Sequence, residues 1–288
     1  MDPSAPPLSA LALTGLPGIE TVDENPQAVF SLITETTFVG ETAPHRHAKA
    51  QLMYVMSGVL TVETGGRAGG GIWTVPPHCA LWIPSGVPHA GRVAGHVKIG
   101  NLYVDPDLTG ALDPHCGILF VQPFLRDLIL RFDCQSPLVN MDRDRRARLI
   151  AVLLDELIAA PLEPIHLPMP TDRRLRRLTD AMIGTPAQRF TVEEWGARVG
   201  ASSRTLSRLF QRETGLSFVQ WRQQLHVGLA LQRLAQGDQV STIAGDLGYE
   251  SVSAFIAMFR RMLGTTPARY FGDAALREPA TVVRLRRS

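Results

Sequence analysis

One pattern occurs twice near the C-terminal end of the chain, as TVEEWGARVGASSRTLSRLFQRETG from Thr191 and as VSTIAGDLGYESVSAFIAMFRRMLG from Val240. In each copy a small residue, Gly196 or Ala244, stands four positions before a glycine, Gly200 or Gly248. A serine follows the turn, Ser202 or Ser251, the second turn being one residue longer. Four positions on comes a large apolar residue, Leu206 or Phe255, and Phe210 and Phe259 each lie five before a glycine, Gly215 and Gly264. Each copy therefore reads as a helix, a tight glycine turn, a serine that caps the next helix, and a second helix with an inward apolar face. A duplicated helix-turn-helix leaves little freedom to the last third of the fold.

Charge places a function on that duplication. Up to residue 170 the chain has 11 Lys and Arg against 17 Asp and Glu; from 171 onward it has 18 against 10, a shift from minus 6 to plus 8. All 18 of those cations are Arg, but Lys49 and Lys98 are the only lysines anywhere, so a codon bias explains the choice of Arg as well as recognition does. The asymmetry says more than the choice of cation. One helix-turn-helix resembles any helical hairpin, whereas two in a domain of net plus 8 point to DNA.

The rest of the chain has a different period. From Val29 to Val104 short runs rich in β-branched and aromatic residues alternate with Gly and Pro, including VFSLITET, QLMYVMSG, ALWIPSG and VKIGNLYV. These are strand signals and predict a β-barrel or sandwich, with hairpins at Ser57-Gly58 and Gly65-Gly66 and a loop extension from Arg67 to Gly71. Gly117 to Phe132 and Asp144 to Ala160 read as helices. In the latter, Leu149, Val152, Leu153, Leu157 and Ala160 form one stripe, which either packs on the flank of the β domain or makes a dimer interface. Pro161, Pro164, Pro168 and Pro170 fall within ten residues, a stiff connector rather than a helix or central strand. The expected organisation is α+β: an N-terminal segment 1–28, a β-barrel sensing and dimerising domain 29–160 with its C-terminal helices, a Pro-rich linker 161–170, the double helix-turn-helix 171–272 and a basic tail 273–288. No apolar run is long enough to span a bilayer, and Met1 to Gly18 has no basic flank before its short apolar stretch. Cys79, Cys116 and Cys134 are odd in number and in no CxxC pair, which fits a reducing cytoplasm.

Residues 171 to 288 resemble the DNA-binding domain of AraC-type transcriptional regulators: first unit, a joining helix from about Phe218 to Gln236, second unit, then Gly264-Thr265-Thr266-Pro267 followed by Tyr270 and Phe271. The resemblance implies that both second helices enter successive major grooves, and a joining helix of about 19 residues spans about 28 Å, compatible with one turn of DNA. Carried over by position, the outward face of the first recognition helix is Ser203, Arg204, Ser207, Arg208 and Gln211, with Arg204 and Arg208 as base readers. Leu206, Leu209 and Phe210 face the core, and Arg212 and Arg233 divide evenly between DNA contact and solvated charge. In the second unit the outward residues are Val252, Ser253, Ala254 and Ala257, with Arg260 and Arg261 placed to grip phosphates. Many relatives have a basic or polar side chain where Ala257 stands, so this unit is expected to read shape, a thymine methyl or phosphate more than base edges.

In the β half, His45 and His47 flank Arg46, and Gln51, Gly58, Pro84, Gly86 and His89 follow. On a strand, His45 and His47 would share a face. The pattern resembles the two motifs of the cupin barrel, where two His, a Glu and a later His converge on a divalent metal. Gln51 stands where that acid lies, and Val93 where an Asn is common. Three readings stay open: a divalent metal on His45, His47, Gln51 and His89; a metal-free polar pocket for a small molecule; or hydrogen-bonded core histidines. Tyr54, Trp73 and Trp82 are candidate walls of an effector pocket formed with His45, His47, Gln51 and His89. The whole reads as a non-enzymatic regulator, activator or repressor, with promoter DNA, a small-molecule effector, a second copy of itself and, in activation, RNA polymerase as partners. The alternative is a metal-dependent cupin oxygenase or isomerase with a basic helical appendage.

Overall fold

The computed structural model describes residues 22–36, 40–65, 70–93, 95–135, 141–163 and 165–272. Most of the expected N-terminal segment, residue 66 of the expected hairpin, residues 67–69 of the expected loop extension and the basic tail lie outside the described residues. The chain forms two compact units, one of residues up to Gly69 together with Val75–Ala160, the other of Gly70–Thr74 together with the chain from Pro161.

The first unit is built on antiparallel strands. A five-stranded run has the order β1 (Val29–Thr36), β8 (Val97–Val104), β3 (Ala50–Ser57), β6 (Cys79–Ile83), β9 (Gly117–Phe120). A second run has the order β4 (Leu60–Thr64), β7 (His89–Val93), β2 (Gly40–Glu41). The register sets Gln51 opposite Tyr103 and Met53 opposite Asn101. Because side chains alternate across a strand, Ala50, Leu52 and Tyr54 point the other way. They meet Trp82, Leu102 and Val104 under two helices, α1 (Pro123–Arg131) with Leu125, Leu128 and Ile129, and α2 (Arg143–Ala159) with Leu153 and Leu157. The apolar stripe of α2 is thus spent mainly on its own domain: Leu149, Leu153, Leu157 and Ala160 join this core, while Val152 is exposed.

The second unit opens with an edge. Strand β10 (Leu162–Glu163) precedes β11 (His166–Pro168), and β11 pairs antiparallel with β5 (Gly71–Val75), where Trp73 stacks on His166 at 3.8 Å between ring centres. The described part of the segment expected only as a connector is therefore extended chain with two short strands. Proline excludes a central strand but not an edge, and Ile165 and Leu167 bury their side chains there. Helices follow: α3 (Arg173–Gly184), α4 (Val192–Val199), α5 (Ser203–Thr214), α6 (Phe218–Ala235), α7 (Val240–Asp246), α8 (Val252–Leu263) and α9 (Pro267–Gly272). Leu167, Leu175, Leu178, Trp195, Leu206, Phe210 and Trp221 make one core, and the Trp221 indole donates to the Pro168 carbonyl at 2.7 Å. The helical unit's interior therefore reaches back behind residue 171. Among the described residues no helix is long and apolar enough to cross a membrane.

Candidate nucleic-acid interface and ligand pocket

Both repeats close as their sequence requires. Helix α4 ends on Gly200 at φ 69°, and Ser202 accepts the Thr205 amide to begin α5. Gly248 at φ 78° and Ser251, which accepts the Ala254 amide, do the same before α8; Gly215 and Gly264 end α5 and α8 in the left-handed region. The first turn is the tighter. A β-carbon on Gly196 would collide with the Ala201 carbonyl oxygen, whereas the second copy, one residue longer, accommodates Ala244 at the same place.

Leu206, Leu209 and Phe210 are buried, and so are Phe255, Met258 and Phe259. That burial turns the opposite faces outward. Arg204, Ser207, Arg208 and Gln211 are exposed and Ser203 half-buried; Val252, Ser253, Ala254, Ala257, Arg260 and Arg261 are all exposed. Among the described residues neither Arg204 nor Arg208 has a carboxylate partner, so both guanidinium forks are available to phosphate or a guanine edge. Arg212 differs, pairing with Glu213 at 3.0 Å, and Arg233 clasps Asp238 at 2.6 Å and Asp246 at 2.7 Å. Arg233 therefore fastens the end of α6 to α7. On α8, Ser253, Ala257, Arg260 and Arg261 line a shallow open groove with Ile256 and Thr266.

The first unit gathers its polar residues between the two strand runs. His45 and His47 lie in the irregular segment before β3 rather than on a regular strand, with Pro44 just ahead and one ladder contact, reciprocal backbone bonds between His45 and His89 at 2.9 and 2.8 Å. Ring centres are 4.3 Å apart for His45 and His89, 5.2 Å for His47 and His89, and 6.1 Å for His45 and His47. One nitrogen from each ring lies within 4.8 Å of one on each of the others. His47 and His89 are buried and His45 half-buried.

Each ring is clamped alike. Nδ1 of His45 meets the Ala43 carbonyl at 2.9 Å, Nδ1 of His47 the Lys49 carbonyl at 2.6 Å, and Nδ1 of His89 the Val87 carbonyl at 2.9 Å. A carbonyl only accepts, so Nδ1 donates in all three rings, and Nε2 is the nitrogen that each ring turns toward the cluster. Nε2 of His89 is buried with no hydrogen-bond partner among the described residues. Burial, the largest influence, pushes the His89 pKa down to about 4, which keeps its ring neutral. Gln51 completes the cluster: its amide nitrogen donates to Asn101 Oδ1 at 3.0 Å and Tyr103 Oη at 3.3 Å, which aims its carbonyl oxygen at His47 Nε2, 3.1 Å away.

Tyr54 and Trp82 fall elsewhere. Strand parity puts both on the helix-covered face, where Trp82 donates to the Asp113 carbonyl, and Trp73 lies in the other unit. In their place stand Asn101 and Tyr103, which accept from the Gln51 amide. Their signal was an Asn and a Tyr two apart inside the apolar run VKIGNLYV, on the face that pairing with Gln51 makes internal.

Two family models match the chain, a helix-turn-helix domain over residues 195–273 and an AraC-like ligand binding domain over residues 32–133. The chain is 38% identical over 235 residues to the HTH-type transcriptional regulator NimR of Escherichia coli K12, covering 80% of this chain and 82% of that one. It is 34% identical over 103 residues to the HTH-type transcriptional regulator RipA of Corynebacterium glutamicum, covering 36% of this chain and 31% of that one. Among solved structures, the DNA-binding domain of AdpA in complex with a target DNA is 33% identical, covering 34% of this chain and 88% of that one at a TM-score of 0.32. The two family-model matches and the likeness to NimR place the chain in the AraC family of transcriptional regulators, DNA-binding proteins that join an AraC-like ligand-binding domain to a helix-turn-helix domain.

Proposed function

We propose that this regulator reads its promoter mainly through Arg204 and Arg208, holds the neighbouring groove through Arg260 and Arg261, and adjusts its output to a small-molecule effector bound at His45, His47, Gln51 and His89. The observation that carries the sensing role is the buried, partnerless Nε2 of His89 in an otherwise satisfied polar cluster, since a buried nitrogen without a partner is costly unless something binds it. The protein works in the cytoplasm as a homodimer, with Val152 and Ile158, exposed on α2, available to a second copy, and contacts RNA polymerase where it activates.

The effector acts by favouring one arrangement of the DNA-binding units over another, which changes the operator spacing that a dimer reaches. The test pairs a thermal-shift ligand screen with a promoter reporter. His47→Ala and His89→Ala are expected to keep basal operator affinity within about twofold and to abolish the effector response, because the apolar strands and both recognition helices are untouched. Full induction of both variants by a ligand that still binds them would remove the sensing role from this cluster.

A further inference from the structure

The turn of the second repeat is one residue longer than that of the first, and the longer turn reaches out to the first repeat. Where the first runs Gly200-Ala201-Ser202, the second runs Gly248-Tyr249-Glu250-Ser251. Gly248 lies against the connection between α3 and α4, so closely that a β-carbon on it would stand 2.6 Å from the Ala187 carbonyl oxygen. The Tyr249 hydroxyl meets Nδ1 of His226 on α6 at 3.0 Å, and Nε2 of the same buried ring donates to the Pro186 carbonyl at 3.2 Å. Glu250 pairs with Arg189 at 3.0 Å, an exposed contact that adds little by itself. Gly200 is the contrast. Its φ is 69° against 78° for Gly248, yet a β-carbon on it would meet nothing within 4 Å.

These contacts give the two helix-turn-helix units a second attachment. The first is α6: Phe218, Trp221 and Leu225 belong to the core of the first unit, and farther along the same helix packs on α7 and α8. One helix shared by two bodies leaves them free to swing about it, whereas a second line of contact removes that freedom. The second line ends at Glu250, next to Ser251, the cap that starts α8. We propose that Pro186–Arg189, Gly248–Glu250 and His226 form a joint that holds α5 and α8 at one separation and one angle, and thereby sets the number of base pairs between the two boxes that one protomer reads. Gly248, Tyr249 and His226 are its positioning residues, acting on DNA through the placement of α8. Spacing exposes such a joint, because one added base pair moves the far box by about 3.4 Å along the duplex and about 35° around it, which a fixed pair of helices does not follow.

The joint bears on DNA through the proposed entry of α5 and α8 into neighbouring grooves, and it rests on that reading. The probe is the duplex that the full-length protein selects from a random-sequence pool, footprinted to locate the two boxes under one protomer and then lengthened or shortened between them by one base pair. The parent is expected to lose about tenfold or more in affinity for either altered duplex. In the double variant Tyr249→Phe, Arg189→Ala, which keeps the aromatic ring, that loss is expected to shrink to about threefold and affinity for the unaltered duplex to fall by about as much, since the freed unit must now be ordered on binding. Gly248→Ala, which pushes Ala187 away, is expected to move the preferred spacing or flatten it. Gly200→Ala carries the same left-handed strain without the neighbour and is expected to weaken all three duplexes alike, as Gly248→Ala would if its role were structural only. Unchanged far-ultraviolet circular dichroism checks folding, and the double variant decides the matter if Gly248→Ala does not fold. Two boxes with the parental spacing profile in the folded variants overturn the joint and leave the two-groove reading standing. A single box under each protomer overturns both, and a parent indifferent to spacing overturns the joint.

Discussion

At the scale of single residues, what a side chain does here follows from which partners are already taken. Arg212 and Arg233 carry the same guanidinium as Arg208, but carboxylates engage them, whereas among the described residues none engages Arg208. Arg208→Ala is therefore expected to cost about 1 to 3 kcal/mol of operator binding and to relax one base position, measured by competition against single-base operator variants. An equal loss on every sequence would make it a phosphate contact. Histidine shows the same dependence on partners. His226 has the opposite tautomer to the barrel rings: Nε2–H donates to the Pro186 carbonyl at 3.2 Å, and bare Nδ1 takes the Tyr249 hydroxyl at 3.0 Å. Burial, the largest influence, with Arg222 second, pushes its pKa down to about 4. Folding thus favours the neutral ring, and its stabilising effect is complete above about pH 6.5 and is lost as pH falls through about 4, at about 1.4 kcal/mol per pH unit. Denaturant titrations at pH 7.5, 6 and 5 should show that slope shrinking in His226→Gln relative to the parent.

At the scale of elements, the two helix-turn-helix units share a plan and differ in detail. Gly196 lies against the Ala201 carbonyl in the shorter turn, so Gly196→Ala forces the turn apart, while Ala244→Gly in the longer turn only loosens a helix. The first is expected to cost about 1 to 3 kcal/mol of stability and the second about 1 or less, both read from denaturant midpoints. The recognition faces are unequal as well. Helix α5 offers two arginines, two serines and a glutamine, whereas Val252, Ser253, Ala254 and Ala257 on α8 offer one hydroxyl between them. Saturation mutagenesis of the operator should therefore find the half-site under α8 the more tolerant, with the reverse result showing that the outward positions were carried over wrongly.

For the whole molecule, positive charge concentrated in one part of the chain dictates how DNA binding answers to salt. Each phosphate neutralised releases counterions, so operator affinity of the full-length protein is expected to fall with a log-log slope of about minus 0.9 per contact, and Arg260→Ala should make that slope shallower by about one. Affinity that is flat in salt would contradict a phosphate grip. Truncation belongs to this scale too: a fragment beginning at residue 171 lacks Leu167 from the core and the Pro168 carbonyl that Trp221 needs. It is expected to melt below one beginning at Pro161.

The sequence by itself determined the parts whose signals are local. The repeat, its glycines and serines, and the three- and four-residue apolar spacing named both helix-turn-helix units, because caps, turns and helix faces are set by residues within a few positions of one another. The sign of charge on each part was equally plain. What the sequence left open was everything that depends on which residues distant in the chain become neighbours. Only the pairing of β3 with β8 decided that Gln51 faces Asn101 and Tyr103 while Tyr54 and Trp82 turn away under the helices, since a strand's inward face is fixed by register and not by composition. Only the fold brought His89, more than forty positions downstream, onto His45, and only the carbonyls around the three rings decided where their protons lie.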